Sequence, residues 1–431
     1  MKKKLSLFRL GLLGVFFILA LLGFFLFSTY KGVVDEKAEV GEVVIWGTLD
    51  QGIVELVLLE ARERHNNISK VVYVQINRNT YQTDVLEAIA SGQSPDLIIV
   101  SNESLYGNLN KIYKISSEQY PIRSFIDTYV DAFSIFYEDD GIWAIPFVID
   151  PMVMYYNKDI FATNSIAEPP KFWDEFDGLS QKMTIVDDKD NIKRATIAFG
   201  EVININNFKG ILSTLFMQLG NKIIYRKNGE YITDKNFEQG NRPAQAINFY
   251  LSFSNQINPM YSWNRSLPSS KEFFLSGKLA TYFGFSSEIK DLRLKNPNLN
   301  FDVAEIPNVK GSSKKTVFAN VWGFAIPKAS GNIDGAFTVA QILSSKETQS
   351  ILSKKLYLPP VRRDLLNVIS SGDIYMDIFF KEAIFAKTFM DPDGYGTSYI
   401  FKSMVERING GKSPEGSITT SFSEIDILLG N

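Results

Sequence analysis

The chain has a single histidine, His65, and no cysteine, which removes most routes to nucleophilic, thiolate or zinc chemistry. His65 stands in Arg62-Glu63-Arg64-His65-Asn66, at the polar end of a helical pattern. With no serine, cysteine or metal ligand beside it, a solvated surface role fits better than catalysis. Asp391-Pro392-Asp393-Gly394 has the opening of a calcium loop. The twelfth position counted from Asp391 is Lys402, however, where a bidentate glutamate is required, so an ordinary turn fits better. Glycine-rich phosphate cradles are absent, and neither cofactor nor metal is expected. The 48 Asp and Glu make chance carboxylate pairs common, and no local pattern marks one out for glycoside hydrolysis. Polar groups that could instead hold a ligand are Asp50, Asn102 and Glu103, each just after an apolar run. Asp50 serves equally well as a helix N-cap.

The elements that would position them alternate. Residues 43–46 form a continuous apolar run that fits a strand buried on both faces, followed by a helical pattern through Ile53, Leu56 and Val57. A strand over 70–76, an amphipathic helix over 81–91 capped by Gly92, and a strand over 95–100 follow. Strand, helix, strand, helix, strand gives right-handed crossovers, with ligands beyond the carboxyl ends at 46–50, 77–80 and 101–103. Further on, helices are expected over 173–182, 207–219, 243–253, 270–275 and 335–343, and strands over 277–284, 301–307 and 317–327. Between the halves lies 141–161, where apolar runs at 142–145 and 152–156 flank Pro146 and Asp150-Pro151. Proline donates nothing to a ladder and extends its neighbour, so this reads as two strands joined by stiff backbone.

The first thirty residues are different in kind. Lys2, Lys3, Lys4 and Arg9 precede an uncharged apolar run over 10–30. At ~1.5 Å per residue such a run spans roughly 30 Å, one hydrocarbon core. The basic segment 1–9 should stay cytoplasmic, placing everything after the linker 31–41 outside. Ser28-Thr29-Tyr30 is a poor cleavage site, which favours an uncleaved anchor over a secretory signal. Net charge is −3, but residues 1–31 hold five basic and no acidic side chains, leaving 40 basic against 48 acidic, or −8, beyond them. That balance argues against nucleic acid as a partner.

Residues 141–161 read G-I-W-A-I-P-F-V-I-D-P-M-V-M-Y-Y-N-K-D-I-F, followed by Pro169-Pro170-Lys171-Phe172-Trp173-Asp174-Glu175-Phe176. Together with Ser91-Gly92-Gln93-Ser94-Pro95-Asp96, Gly277-Lys278-Leu279-Ala280 and Leu358-Pro359-Pro360-Val361-Arg362, this resembles family 1 of the bacterial extracellular solute-binding proteins. The resemblance runs from about Val43 to the C-terminus and is dense only in these five blocks. It implies an α/β, two-lobe periplasmic-binding-protein-like fold of type II, each lobe a mostly parallel sheet flanked by helices, here preceded by a transmembrane helix. On that expectation one lobe comprises 42–148 plus about 277–328, and the other 149–276 plus about 329–431. It further implies a monomeric capture component of an ABC importer, tethered beside its permease, whose lobes hinge shut over a sugar or oligosaccharide. Relatives held by an acylated cysteine have no counterpart here, since the chain lacks cysteine.

Sugars present C–H faces and hydroxyls, so their sites combine aromatic platforms with amide or charged groups. Trp46, Trp263, Phe285 and Trp322, at strand ends or in loops, are the candidate platforms, with core packing as the competing role. Trp143 and Trp173 are assigned to packing. An acidic residue matching Asp150 hydrogen-bonds sugar hydroxyls in maltose-binding relatives; capping the bend is the alternative role. Arg362 matches a family turn near the cleft, against a plain surface ion pair. Phe285-Ser286-Ser287 stands where relatives often carry a Trp, which points to a smaller or differently shaped ligand. Two other functions remain open at this stage: an anchored polysaccharide hydrolase, and a receptor that senses a ligand without import.

Overall fold

A computed structural model describes residues 40–235, 242–312, 314–367 and 370–430. The expected membrane anchor, residues 10–30, lies outside them. Among the described residues no helix is long and apolar enough to cross a membrane.

Five elements open the fold in the expected alternation: β1 (Val43–Gly47), α1 (Gln51–Arg64), β2 (Val71–Gln75), α2 (Tyr81–Ala90) and β3 (Leu97–Ser101). β2 and β3 flank β1 in parallel. Asp50 caps α1 by accepting from the Ile53 amide. Gly92, at φ +73°, takes the left-handed position after α2 that a side chain would strain. Val43 and Ile45 are fully buried, but Val44 and Trp46 are half-buried, so β1 is not sealed on both faces as the run suggested.

The two strands expected around Pro146 and Pro151 are one. β4 runs unbroken through Ile145–Asn157. Its first half pairs antiparallel with β8 (Val317–Ala325), from Ile145↔Phe324 to Pro151↔Ala319, with a bulge at Trp322/Gly323 opposite Pro146. Its second half, from Met152, pairs with β6 (Leu279–Phe285) and β7 (Phe301–Ala304). β6 in turn runs parallel to β5 (Ile192–Ile197). The prolines fall at a bulge and at the residue where one set of partners gives way to the other, where a missing N–H costs least. β8 also pairs antiparallel with β3, with Trp322 opposite Ser101, which joins the parallel trio to β4. The pairing is continuous through β4 in one ten-stranded sheet, mixed on both halves, with one body built on each half of β4.

This pairing redistributes two segments. β6 and β7 sit on the second half of β4, not with β1–β3 as the 277–328 assignment implied. Helices α4 (Ile333–Leu343) and α5 (Lys346–Leu356) pack on α1, and α4 also on β1, on the first body instead of the second. The short patterns along 277–356 identify elements but not the half of β4 that each joins.

Three more elements complete the frame of the site. Helix α3 (Phe208–Gln218) packs on β8, β9 (Ala386–Lys387) pairs parallel with the start of β8, and α6 (Gly394–Asn409) begins just after the turn at Asp391–Asp393. An unexpected hairpin, Ile224–Lys227 with Glu230–Thr233, follows α3.

Candidate functional site

Beyond the carboxyl ends of β1, β2 and β3 lies a cavity of about 590 Å³, lined there by Thr48, Arg78 and Ser101–Ser104. Its other walls are Asn108, Asn320 and Trp322, and, from the opposite side, Pro392, Asp393 and Gly394. Such a volume suits a small ligand, and strand ends in open α/β sheets are where ligands gather. The lining mixes one indole with amides, hydroxyls and charges of both signs.

Three of the nine candidates meet there. Asn102 is 1% exposed; its side-chain carbonyl accepts from the Val321 amide at 3.1 Å, and its Nδ2 has no partner among the described residues. A buried amide donor left unpaired costs about 1–3 kcal/mol, which a ligand oxygen would recover. Glu103 is largely exposed and turned towards α3. Trp322, on β8, is half-buried and presents an edge of the cavity wall.

Two of the wall residues, Glu103 and Gly394, are held by a residue that the sequence did not mark. Lys209, in the first turn of α3, is buried; its ammonium bonds Glu103 at 2.8 Å, the Gly394 carbonyl at 3.2 Å, and the buried carboxylate of Asp391. Burial alone would push Lys209 down, but the charges of Asp391 and Glu103 outweigh it and hold the ammonium above its usual value. Asp391 also accepts from the Thr397 hydroxyl at 2.6 Å and the Asp393 amide at 3.1 Å, and its own amide donates to the Asn102 carbonyl at 2.9 Å. The Asp-Pro-Asp-Gly stretch is thus a turn, as expected, but a turn that ties α3, α6 and the end of β3 together. Gly394 permits the approach: a Cβ there would come within 2.8 Å of the Glu103 carboxyl.

The remaining candidates lie elsewhere. Trp263 is fully buried, its indole N–H donating to Asn204 at 3.1 Å and its ring packed edge-on against Phe273. It is a core residue, and the platform expected of it is corrected. Asp150 is buried at the junction of the two halves of β4, where Oδ1 accepts from the Ser286 hydroxyl at 2.7 Å and the Ser287 amide at 3.0 Å. It therefore caps the turn after β6. Burial raises its pKa to about 6, with those hydrogen bonds pulling the other way. Phe285 is half-buried and packs edge-on against Phe318. Arg362 chelates Asp364 at 3.0 and 3.3 Å and donates to the Ser344 carbonyl, a local clasp beside Tyr129. Trp46 is half-buried on β1, its carbonyl accepting from Tyr81, while Asp50 is spent as the α1 cap. Trp173 is buried among phenylalanines, and Trp143 is half-buried under Lys114. His65 closes the end of α1.

Arg78, Asn108, Asn320, Asp393 and Lys209 were missed. Arg78 and Asn320 were within reach: one follows β2 and the other lies two residues before Trp322. Nothing local distinguishes Lys209 from any other lysine in an apolar helix. Among the described residues no group of three or more His, Asp or Glu could hold a metal ion.

A family model described as bacterial extracellular solute-binding protein matches residues 58–377, about three quarters of the chain. The chain belongs to that family. Solved structures of similar fold include the sugar-binding protein MalE of the phytopathogen Xanthomonas citri, at 18% identity and TM-score 0.71, covering 90% of this chain and 97% of that one. A cyclo/maltodextrin-binding protein complexed with maltotetraose follows at 17% identity and TM-score 0.70, with 90% and 97% covered. A Staphylococcus aureus extracellular solute-binding protein in complex with maltose matches at 14% and 0.69, with 90% and 98% covered. These likenesses establish the two-lobe fold, and the family makes the chain an extracellular solute-binding protein, a class that captures ligands without turning them over.

Proposed function

We propose that this protein captures a carbohydrate in the cavity beyond β1–β3 and hands it to an ABC permease. The observation that carries the reading is the cavity itself. A single indole, Trp322, stands among Asn102, Glu103, Asn108 and Asn320, with Asp393 and Gly394 facing them from α6. An aromatic face surrounded by amides and carboxylates matches a polyol better than it matches an apolar or strongly charged solute. The maltotetraose and maltose held by two of the structural neighbours support the same class.

In this reading Trp322 stacks on a sugar face, Asn102 Nδ2 donates to a ring or hydroxyl oxygen, and Glu103 accepts from hydroxyls. Closure follows from a ligand that touches both bodies and so favours the closed arrangement. We take the first body as about 42–150 and 319–366, and the second as about 151–318 and 374–430. The apolar run 10–30 tethers the protein outside the cell, raising its concentration beside the permease.

The test is thermal unfolding of the protein against a panel of neutral mono- and oligosaccharides, polyols and peptides. Saturable stabilisation by a sugar, with the sugar recovered intact, is the expected result. Release of hydrolysed product, or stabilisation only by peptides, would overturn the proposal.

A further inference from the structure

The opposite end of α3 opens on a second cavity, of about 640 Å³. It lies between Ser134–Tyr137, which precede β4, the α3 terminus with its following hairpin, and the β9 segment Lys387–Met390. Five of the described residues lining it are basic, Lys222, Arg226, Arg242, Lys314 and Lys387, and none is acidic. Beyond the N-terminal segment the chain carries more acidic than basic residues, so the segregation is not a matter of composition.

Structural duties account for only two of these cations. Arg226 pairs with Glu138 at 3.2 Å, and Arg242 donates to the Leu219 carbonyl at the end of α3. Lys222 stands over the Tyr225 ring, and Lys222, Lys314 and Lys387 form no ion pair with a described residue. Two carboxylates bonded to residues of this lining are already engaged: Glu138 by Lys114 and Arg226, and Asp234 by the Lys222 amide. Like charges brought together around one hollow repel, and the partial negative charge at the α3 terminus offsets this only in part. The rest of the lining mixes aromatic and apolar side chains, among them Tyr137, Met217, Tyr225 and Phe389, with neutral polar ones such as Ser134, Asn221 and Thr316. The Thr388 hydroxyl is sealed from solvent with no partner among the described residues.

We propose that this second cavity binds a small organic anion, its carboxylate or phosphate held by the lysines and its organic body against the aromatic wall. The site is separate from the carbohydrate cavity and does not depend on that reading. Its volume falls in the range of ligand pockets, and its residues come from segments on both sides of β4.

Titration calorimetry of the full-length chain in low-salt buffer, with phenyl phosphate, benzoate and benzyl alcohol, tests it. At least one of the two anions binds saturably, one per chain, and the uncharged alcohol does not. Binding of both shows that a carboxylate suffices; binding of phenyl phosphate alone shows that a phosphate is needed. The double variant Lys222→Glu/Lys387→Glu weakens anion binding by roughly tenfold or more and leaves oligosaccharide binding unchanged. Lys314→Glu alone shifts it in the same direction, should the double variant not fold. Saturation by neither anion, equal affinity in the folded variants, or displacement of the anion by oligosaccharide would each overturn the proposal.

Discussion

The two ends of α3 make a controlled comparison. At its first turn, Lys209 is buried and fully paired, and the cavity walled in part by its partners Glu103 and Gly394 is lined by amides, hydroxyls, a single indole and charges of both signs. Beyond its far end, lysines from three segments are exposed, form no ion pair with a described residue, and gather around a partly aromatic hollow. Eleven helical residues, about 16 Å, separate a lysine held by two carboxylates from lysines that form no ion pair with a described residue. Where charges of both signs stand among amides and an indole, hydrogen bonds and stacking recognise the ligand. Where cations alone gather, their surplus selects it.

The sharpest way to break this contrast is at Lys209. Lys209→Met leaves Asp391 buried beside Glu103 without its counter-ion, and a buried pair broken on one side costs about 3–5 kcal/mol. Thermal unfolding should show that loss, whereas Lys222→Glu/Lys387→Glu should stay within about 0.5 kcal/mol of the parent. Equal effects would erase the distinction between the two ends.

Next in size is a pH effect on β4. Asp150 has a folded pKa of about 6, above its ordinary 3.8, because it is buried. The folded state therefore holds this proton more tightly than the unfolded chain, and stability falls as pH rises from about 4 to about 6. The full difference approaches about 3 kcal/mol. Glu382, raised by burial to about 7, acts in the same direction up to neutral pH. Asp150→Asn should flatten the lower part of that slope in unfolding curves measured across pH 4–7. An unchanged slope would remove Asp150 from the account. A smaller effect is expected of Glu103→Gln: about tenfold weaker binding of a neutral oligosaccharide, from one charge-assisted hydrogen bond reduced to a neutral one, with anion binding at the far end of α3 untouched.

How much of this was legible beforehand follows the range of the interactions. The alternation β1-α1-β2-α2-β3 is written in local periodicity, and the strand ends that line the cavity followed from it. β4 was misread as two strands because its prolines look like breaks until the partners on either side are known. The placement of β6, β7, α4 and α5 depends on which half of β4 each meets, which no local pattern encodes. At the site, Asn102, Glu103 and Trp322 were reachable through their positions after or across from strands. Trp263 was not separable from a platform, since an indole in a loop looks alike whether it faces a cleft or Asn204. Lys209 and Asp391 lie 182 positions apart and acquire meaning only as a pair.

The central claim is that the solute sits against Trp322 in the cavity beyond β1–β3. Calorimetric titration of the tightest-binding neutral oligosaccharide into the parent protein and into Trp322→Ala tests it most directly. Saturable one-to-one binding to the parent is expected, weakened at least about tenfold in a variant that still folds. Indistinguishable affinities for the two proteins would place the solute elsewhere and contradict it.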